Sequence, residues 1–138
     1  MMFIDMMKSF LGKVIKIDRG GPESRVGKLL DVYNDYLVLL TEEDGVVYYN
    51  THHIKSVIEN TKEPFEFNIV IPEGFEYKKA DNILSLLEIL KFQWVKINRG
   101  GPEKIEGILC DVNNDMVSLI NKEEIVQISM FHLRNISN

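Results

Sequence analysis

Apolar and polar residues alternate from Val14 to Asp18 and again from Val95 to Asn98, the two-residue period of a strand with one buried face. Ahead of each lies a different pattern. Ile83, Leu84, Leu86, Leu87 and Leu90 form an apolar stripe at helical spacing, with Asp81 placed to cap it, and Phe3, Ile4, Met6, Met7, Phe10 and Leu11 form its counterpart. Four further strands follow each alternation: Gly27–Val32, Tyr36–Leu40, Val46–Tyr49 and Ile54–Ile58, then Gly107–Val112, Met116–Ile120, Ile125–Ile128 and Leu133–Ile136. Asn34-Asp35 and Asn114-Asp115 are turn residues able to bond their own backbone. Glu43-Asp44-Gly45 is a hairpin signal, answered by Lys122-Glu123-Glu124.

The two sets are copies. Arg19, Gly20, Gly21, Pro22 and Glu23 recur 80 residues later as Arg99, Gly100, Gly101, Pro102 and Glu103. In the same register Lys16 matches Lys96, Gly27 matches Gly107, and Asp31-Val32 matches Asp111-Val112. A one-residue deletion near Asp44 then brings Val47 onto Val126, His53 onto His132 and Val57 onto Ile136. The chain therefore divides into a first module over 1–59, an ordered linker over 60–80 and a second module over 81–138. Within the linker, Phe65-Glu66-Phe67-Asn68-Ile69 alternates like an added edge strand. A helix followed by five short, bent strands predicts a mainly β chain: a tandem pair of small SH3-like or Sm-like barrels whose closure or near-closure removes exposed edges. Modules this small have marginal cores alone, so the copies are expected to pack together or to form a homo-oligomer.

Composition narrows the function. A hydrophobic share of 45% and a charged share of 27% are those of a folded protein. The net charge of −5 is spread evenly along the chain, with no cluster of Lys and Arg to meet a phosphate backbone, so nucleic acid is disfavoured as a partner. No run approaches the apolar length of a membrane span, and MMFIDMMKSF does not read as a signal peptide, so no membrane partner and an intracellular origin are expected. Cys110 is the single cysteine, which excludes an intrachain disulfide and fits a small buried strand residue.

Little in the chain reads as chemistry. The Arg-Gly-Gly-Pro-Glu turns either cradle an anion on backbone N–H groups beside Arg19 and Arg99, or are tight inter-strand turns. His53 and His132 occupy matching positions, but neither copy supplies further ligands at metal spacing; each is expected to support the turn before the last strand by bonding backbone. No nucleophile–base arrangement can be assigned, and no cofactor or enzymatic activity is expected. Tyr33, Tyr36, Tyr48 and Tyr49 cluster in the first copy only, and Trp94 reads as core or inter-module packing.

The strings KVIKIDRGGPESRVGKLLDV, GVVYYNTHHIKSV and WVKINRGGPEKIEGILCDV resemble the repeats of the spore coat protein B (CotB) family of endospore-forming bacilli. The resemblance implies a structural component of the spore coat, made in the mother cell and assembled by binding other coat proteins. It supplies no catalytic residues. The family's namesake carries a long Ser-, Lys- and Arg-rich C-terminal region that a coat kinase phosphorylates. The present sequence stops at Asn138, directly after the second copy, so a role resting on that tail is not expected of it. Two other readings stand beside this one: an Sm-like module binding single-stranded RNA, and a small anion-binding module using the two turns.

Overall fold

A computed structural model describes residues 2–21, 24–98 and 104–138. The first half builds α1 (Met2–Lys8), β1 (Val14–Ile17), β2 (Arg25–Val32), β3 (Tyr36–Thr41), β4 (Gly45–Asn50), a 3₁₀ turn (Thr51–His53) and β5 (Val57–Ile58). The second repeats the order as α2 (Ile83–Ile89), β6 (Trp94–Ile97), β7 (Ile105–Val112), β8 (Met116–Asn121), β9 (Glu124–Ser129), a 3₁₀ turn (Met130–His132) and β10 (Asn135–Ser137). The chain is mainly β, as the alternation predicts. Asn82, not Asp81, caps α2: its side-chain oxygen accepts the Ser85 N–H at 2.8 Å.

Two devices bend the strands in both halves. The β2–β3 register slips between Leu29 and Asp31, and the β7–β8 register slips at the matching Leu109 and Asp111. Such a slip turns the strand and increases its twist. Just upstream, the strands nearly touch. A Cβ on Gly27 would lie 2.5 Å from the Leu40 carbonyl oxygen, and one on Gly107 would lie 2.6 Å from that of Ile120. Only glycine fits at these two crossings.

Among the described residues, ten strands form one antiparallel sheet in the order β5-β1-β2-β3-β4-β10-β6-β7-β8-β9. Each half keeps its last strand beside its first, and the halves join where β10 pairs with β4. Among the described residues, full closure, one of the two outcomes the barrel outline allows, does not occur. β10 satisfies the edge of the other half instead of returning to β9, which leaves β5 and β9 as the two edges of an open sheet.

The expected edge strand at Phe65–Ile69 does not form either. Residues 65–71 alternate between partly buried and exposed, yet they enter no ladder. The linker is held by side chains instead: Asn68 N–H donates to Glu42, Tyr48 donates to the Lys78 carbonyl, and Tyr36 donates to the Ala80 carbonyl.

The core divides unevenly. One cluster lies wholly within the first half, joining Met7 of α1 to Ile15, Ile17, Leu29, Leu39 and Val47. The larger cluster unites α2 and the second half with Tyr36, Val38 and Tyr48 from β3 and β4. The second half thus completes its core on the first. Trp94, read as core or inter-module packing, is instead half exposed and donates from its indole N–H to Glu106.

Candidate functional site: the turn loops and the junction between the halves

Asp18 and Asn98, the residues that lead into the Arg-Gly-Gly-Pro-Glu turns, end β1 and β6 at positive φ, 60° and 54°. Asn and Asp tolerate that conformation better than most residues. Both use it to bind the segment before the last strand. The Asp18 carboxylate accepts the N–H groups of Lys55 and Ser56. The Asn98 amide accepts the Arg134 N–H and donates to the His132 carbonyl.

Of the motif itself, Arg19, Gly20 and Gly21 are exposed, and Gly21 has φ 92°. Pro22, Glu23, Arg99, Gly100, Gly101, Pro102 and Glu103 lie outside the described residues. Around the first turn, the Asp18 N–H donates to the Ser56 carbonyl, the Arg19 N–H to the Ser56 hydroxyl and the Ser24 N–H to the Gly21 carbonyl. Those three amides are used within the protein and are not offered to a ligand.

The two histidines differ. His53 Nε2 donates to the carbonyl of Phe131, 78 residues away in the other half, and its ring meets the Phe131 ring edge-on. His132 is exposed and rests edge-on against Phe131. Among the described residues no three His, Cys, Asp or Glu side chains gather closely enough to hold a metal ion. Cys110 is partly buried on β7, with its thiol directed at the Ser118 carbonyl.

The most elaborated region is the junction. Asn135, Ile136 and Ser137 of β10 lie opposite Tyr49, Tyr48 and Val47 of β4. Asn50 extends the ladder: its N–H donates to the Arg134 carbonyl and its side-chain amide to that of Leu133. Asp35 accepts the N–H of Ile83, tying the start of α2 to the β2–β3 turn. At the other end of β4, Arg25 pairs with Asp44 at 2.7 Å, and with Glu43 they share an open depression with Lys96 and Lys104 of the second half.

The tyrosine cluster is not a surface. Tyr36, Tyr48 and Tyr49 are buried, and Tyr33 is stacked on Tyr36 at 4.8 Å. Asp31 accepts hydrogen bonds from Tyr33 and from Tyr77 of the linker. Burial raises the pKa of Tyr33 and Tyr77 well above the ordinary phenol value, and the Asp31 carboxylate raises it further. Burial also raises Tyr36 and pushes Tyr48 up to about 12. No reacting group is positioned by this arrangement; the phenols join module to linker. Sequence reasoning did not find Asn50 or the crossing of His53. A signal was present in the differences between copies, since Tyr48 and Asn50 stand where the second copy has Gln127 and Ser129.

Comparison with known proteins fits this geometry. The family described as YwrJ third domain matches residues 2–57, which is the first helix-and-five-strand unit. Spore coat protein B of Bacillus subtilis (strain 168) is 37% identical over 135 residues, covering 98% of this chain. The resemblance to spore coat protein B carried by the two Arg-Gly-Gly-Pro-Glu copies is thereby shown across both halves. The chain spans about a third of that relative's length, 35%. No solved structure matches significantly. Among the described residues, no helix is long and apolar enough to cross a membrane.

Proposed function

We propose that this chain is a non-enzymatic structural protein of the bacterial spore coat, made in the mother cell and assembled there by self-association and by binding other coat proteins. The observation that carries the reading is the 37% identity, over nearly the whole chain, to a protein named for the spore coat. The organisation supports it. Residues 1–59 and 81–138 act as two modules bridged by 60–80, each a small, open SH3-like or Sm-like barrel behind a short helix. The strand order recurs, and each half keeps its last strand beside its first, which supports this outline. The Arg-Gly-Gly-Pro-Glu turns are structural in this reading, and the inward use of the amides at Asp18, Arg19 and Ser24 supports that role. In this reading His53 and His132 are structural turn residues: His53 braces the turn before β10 through the Phe131 carbonyl, and His132 packs against Phe131 within it.

The test is direct. A fluorescent fusion expressed in sporulating cells should collect at the forespore periphery, and the protein should be extracted with the coat fraction. Pull-downs from the same cells should return coat proteins. A protein that stays diffuse in the mother cell and is missing from purified spores overturns the assignment.

A further inference from the structure

The junction between the halves has two unlike sides. One side is β4 with the face of β3 and β4 that shares a core with α2; the other is α2 with β10. Because the chain is duplicated, it carries each side twice and uses each only once. The unused receiving side is β9 with the face of β8 and β9. The unused inserting side is α1 with β5. We propose that a second copy of this chain fills that vacancy, docking its α1 and β5 against β9 and repeating between chains the junction made within one.

Matched positions show what is missing. Leu86 of α2 is fully buried, whereas Met6, its duplicate on α1, is 46% exposed. Tyr48 of β4 is 1% exposed, whereas Gln127 on β9 faces solvent. All three residues of β10 are buried, but Val57 and Ile58 of β5 are only partly covered. Around the vacant receiving side Met116, Ile120 and Ile125 are exposed apolar residues, Ile125 at 65%. Both halves of an absent contact therefore carry uncovered apolar side chains.

Among the described residues the edge itself is unprotected. Sheet edges are ordinarily blunted by Lys, Pro, a bulge or brevity. β9 runs for six residues, Glu-Ile-Val-Gln-Ile-Ser, without Lys or Pro and in unbroken register with β8. The internal junction also supplies the register of the external one. Ile136 opposite Tyr48 and Ser137 opposite Val47 become Val57 opposite Gln127 and Ile58 opposite Val126. The bond from Asn50 N–H to the Arg134 carbonyl becomes one from Ser129 N–H to the Lys55 carbonyl of the next copy. The two surfaces differ, so the contact is head-to-tail. It generates a ring if the rotation closes and a filament if it does not.

This inference rests on the self-association part of the proposed function and specifies its surface. The purified 138-residue chain is examined by light scattering and mass photometry. The expected particles contain several chains. Met6→Glu charges the inserting side at an exposed position. Gln127→Pro removes a β9 N–H that points outward, as the two-residue period from Ser129 places it. Each variant should run as a single chain, and an equimolar mixture should form a two-chain species and nothing larger. If Gln127→Pro loses its circular dichroism spectrum, Ile125→Lys replaces it, since that side chain is already largely in solvent. A wild-type chain that is monomeric overturns the inference. So does a mixture that stays monomeric, or a Met6→Glu chain that still dimerises, which would mean two β9 edges pairing with each other. Spore fractionation reads the coat assignment and light scattering reads this junction, so either can fail alone.

Discussion

β4 and β9 are duplicates of one strand in two environments. β4 lies between β3 and β10, with Val47, Tyr48, Tyr49 and Asn50 all buried. Among the described residues β9 has a strand neighbour on one side only, and each of its six residues keeps solvent contact. Their side chains have diverged to suit. Where β4 and β3 carry Tyr48, Tyr49 and Tyr36, the second half carries Gln127, Ile128 and Met116. The tyrosines reach beyond the sheet, with Tyr36 and Tyr48 bonding linker carbonyls at Ala80 and Lys78. A duplicated fold therefore does not stay symmetric: one copy has become a platform and the other rests on it.

Paired substitutions test that asymmetry. The largest contrast is between Leu86 and Met6. Leu86→Ala removes a fully buried side chain from the cluster that joins the halves and should cost about 3 kcal/mol. Met6→Ala, in the isolated chain, should stay within about 0.5 kcal/mol of wild type. Urea denaturation of both variants checks this; equal losses would mean that α1 and α2 carry the same load. Next come the glycines. Gly27→Ala and Gly107→Ala each force a methyl group against a strand carbonyl and should each cost about 2–3 kcal/mol. Here the halves should agree, because the crossing is internal to each. A loss at Gly27 alone would show that the second half relaxes more easily.

Asn50 and Ser129 give a smaller contrast at the ends of β4 and β9 themselves. Asn50→Ala leaves the buried Leu133 carbonyl without its amide partner and should cost about 1–2 kcal/mol. Ser129→Ala loses only an exposed bond to the Phe131 N–H and should cost about 0.5 kcal/mol or less. Thermal melts in the isolated chain read the difference. Equal effects would mean that burial by β10 adds nothing at Asn50.

Much of this architecture was legible from periodicity. The two helices, the order of strands and the turns at Asn34-Asp35 and Asn114-Asp115 follow from local pattern, because local backbone preference decides them. What pattern leaves open is pairing between distant segments. Nothing local to Asn135–Ser137 distinguishes a strand that returns to β9 from one that crosses to β4. The alternation at Phe65–Ile69 likewise reports a segment with one face against the protein, which a strand and an unpaired extended chain share. Trp94 misled for a related reason: its indole N–H found Glu106 at the surface, where a polar partner was available. The crossing was readable only by comparing the copies, since Tyr36 and Tyr48 are aromatic where Met116 and Gln127 are not.

The tyrosine attachment offers the finest test of that asymmetry, because only the first half has it. Asp31 holds Tyr33 and Tyr77, while the matching Asp111 faces no tyrosine at the position of Tyr33, which is Asn113. Tyr33, Tyr36, Tyr48 and Tyr77 all have raised pKa values, so each binds its proton more tightly folded than unfolded. Their stabilisation is complete below the unfolded phenol value of about 10 and is lost as pH climbs from there through the folded values. Phenolate absorbance from these four should therefore appear only together with loss of the folded far-UV spectrum. Tyr77→Phe should cost about 1 kcal/mol at neutral pH by releasing the linker from Asp31, and should flatten the alkaline fall. If all the tyrosines ionise near their ordinary value while the sheet stays intact, the linker is not anchored through its phenols. The platform role of the first half then rests on β4 and β10 alone.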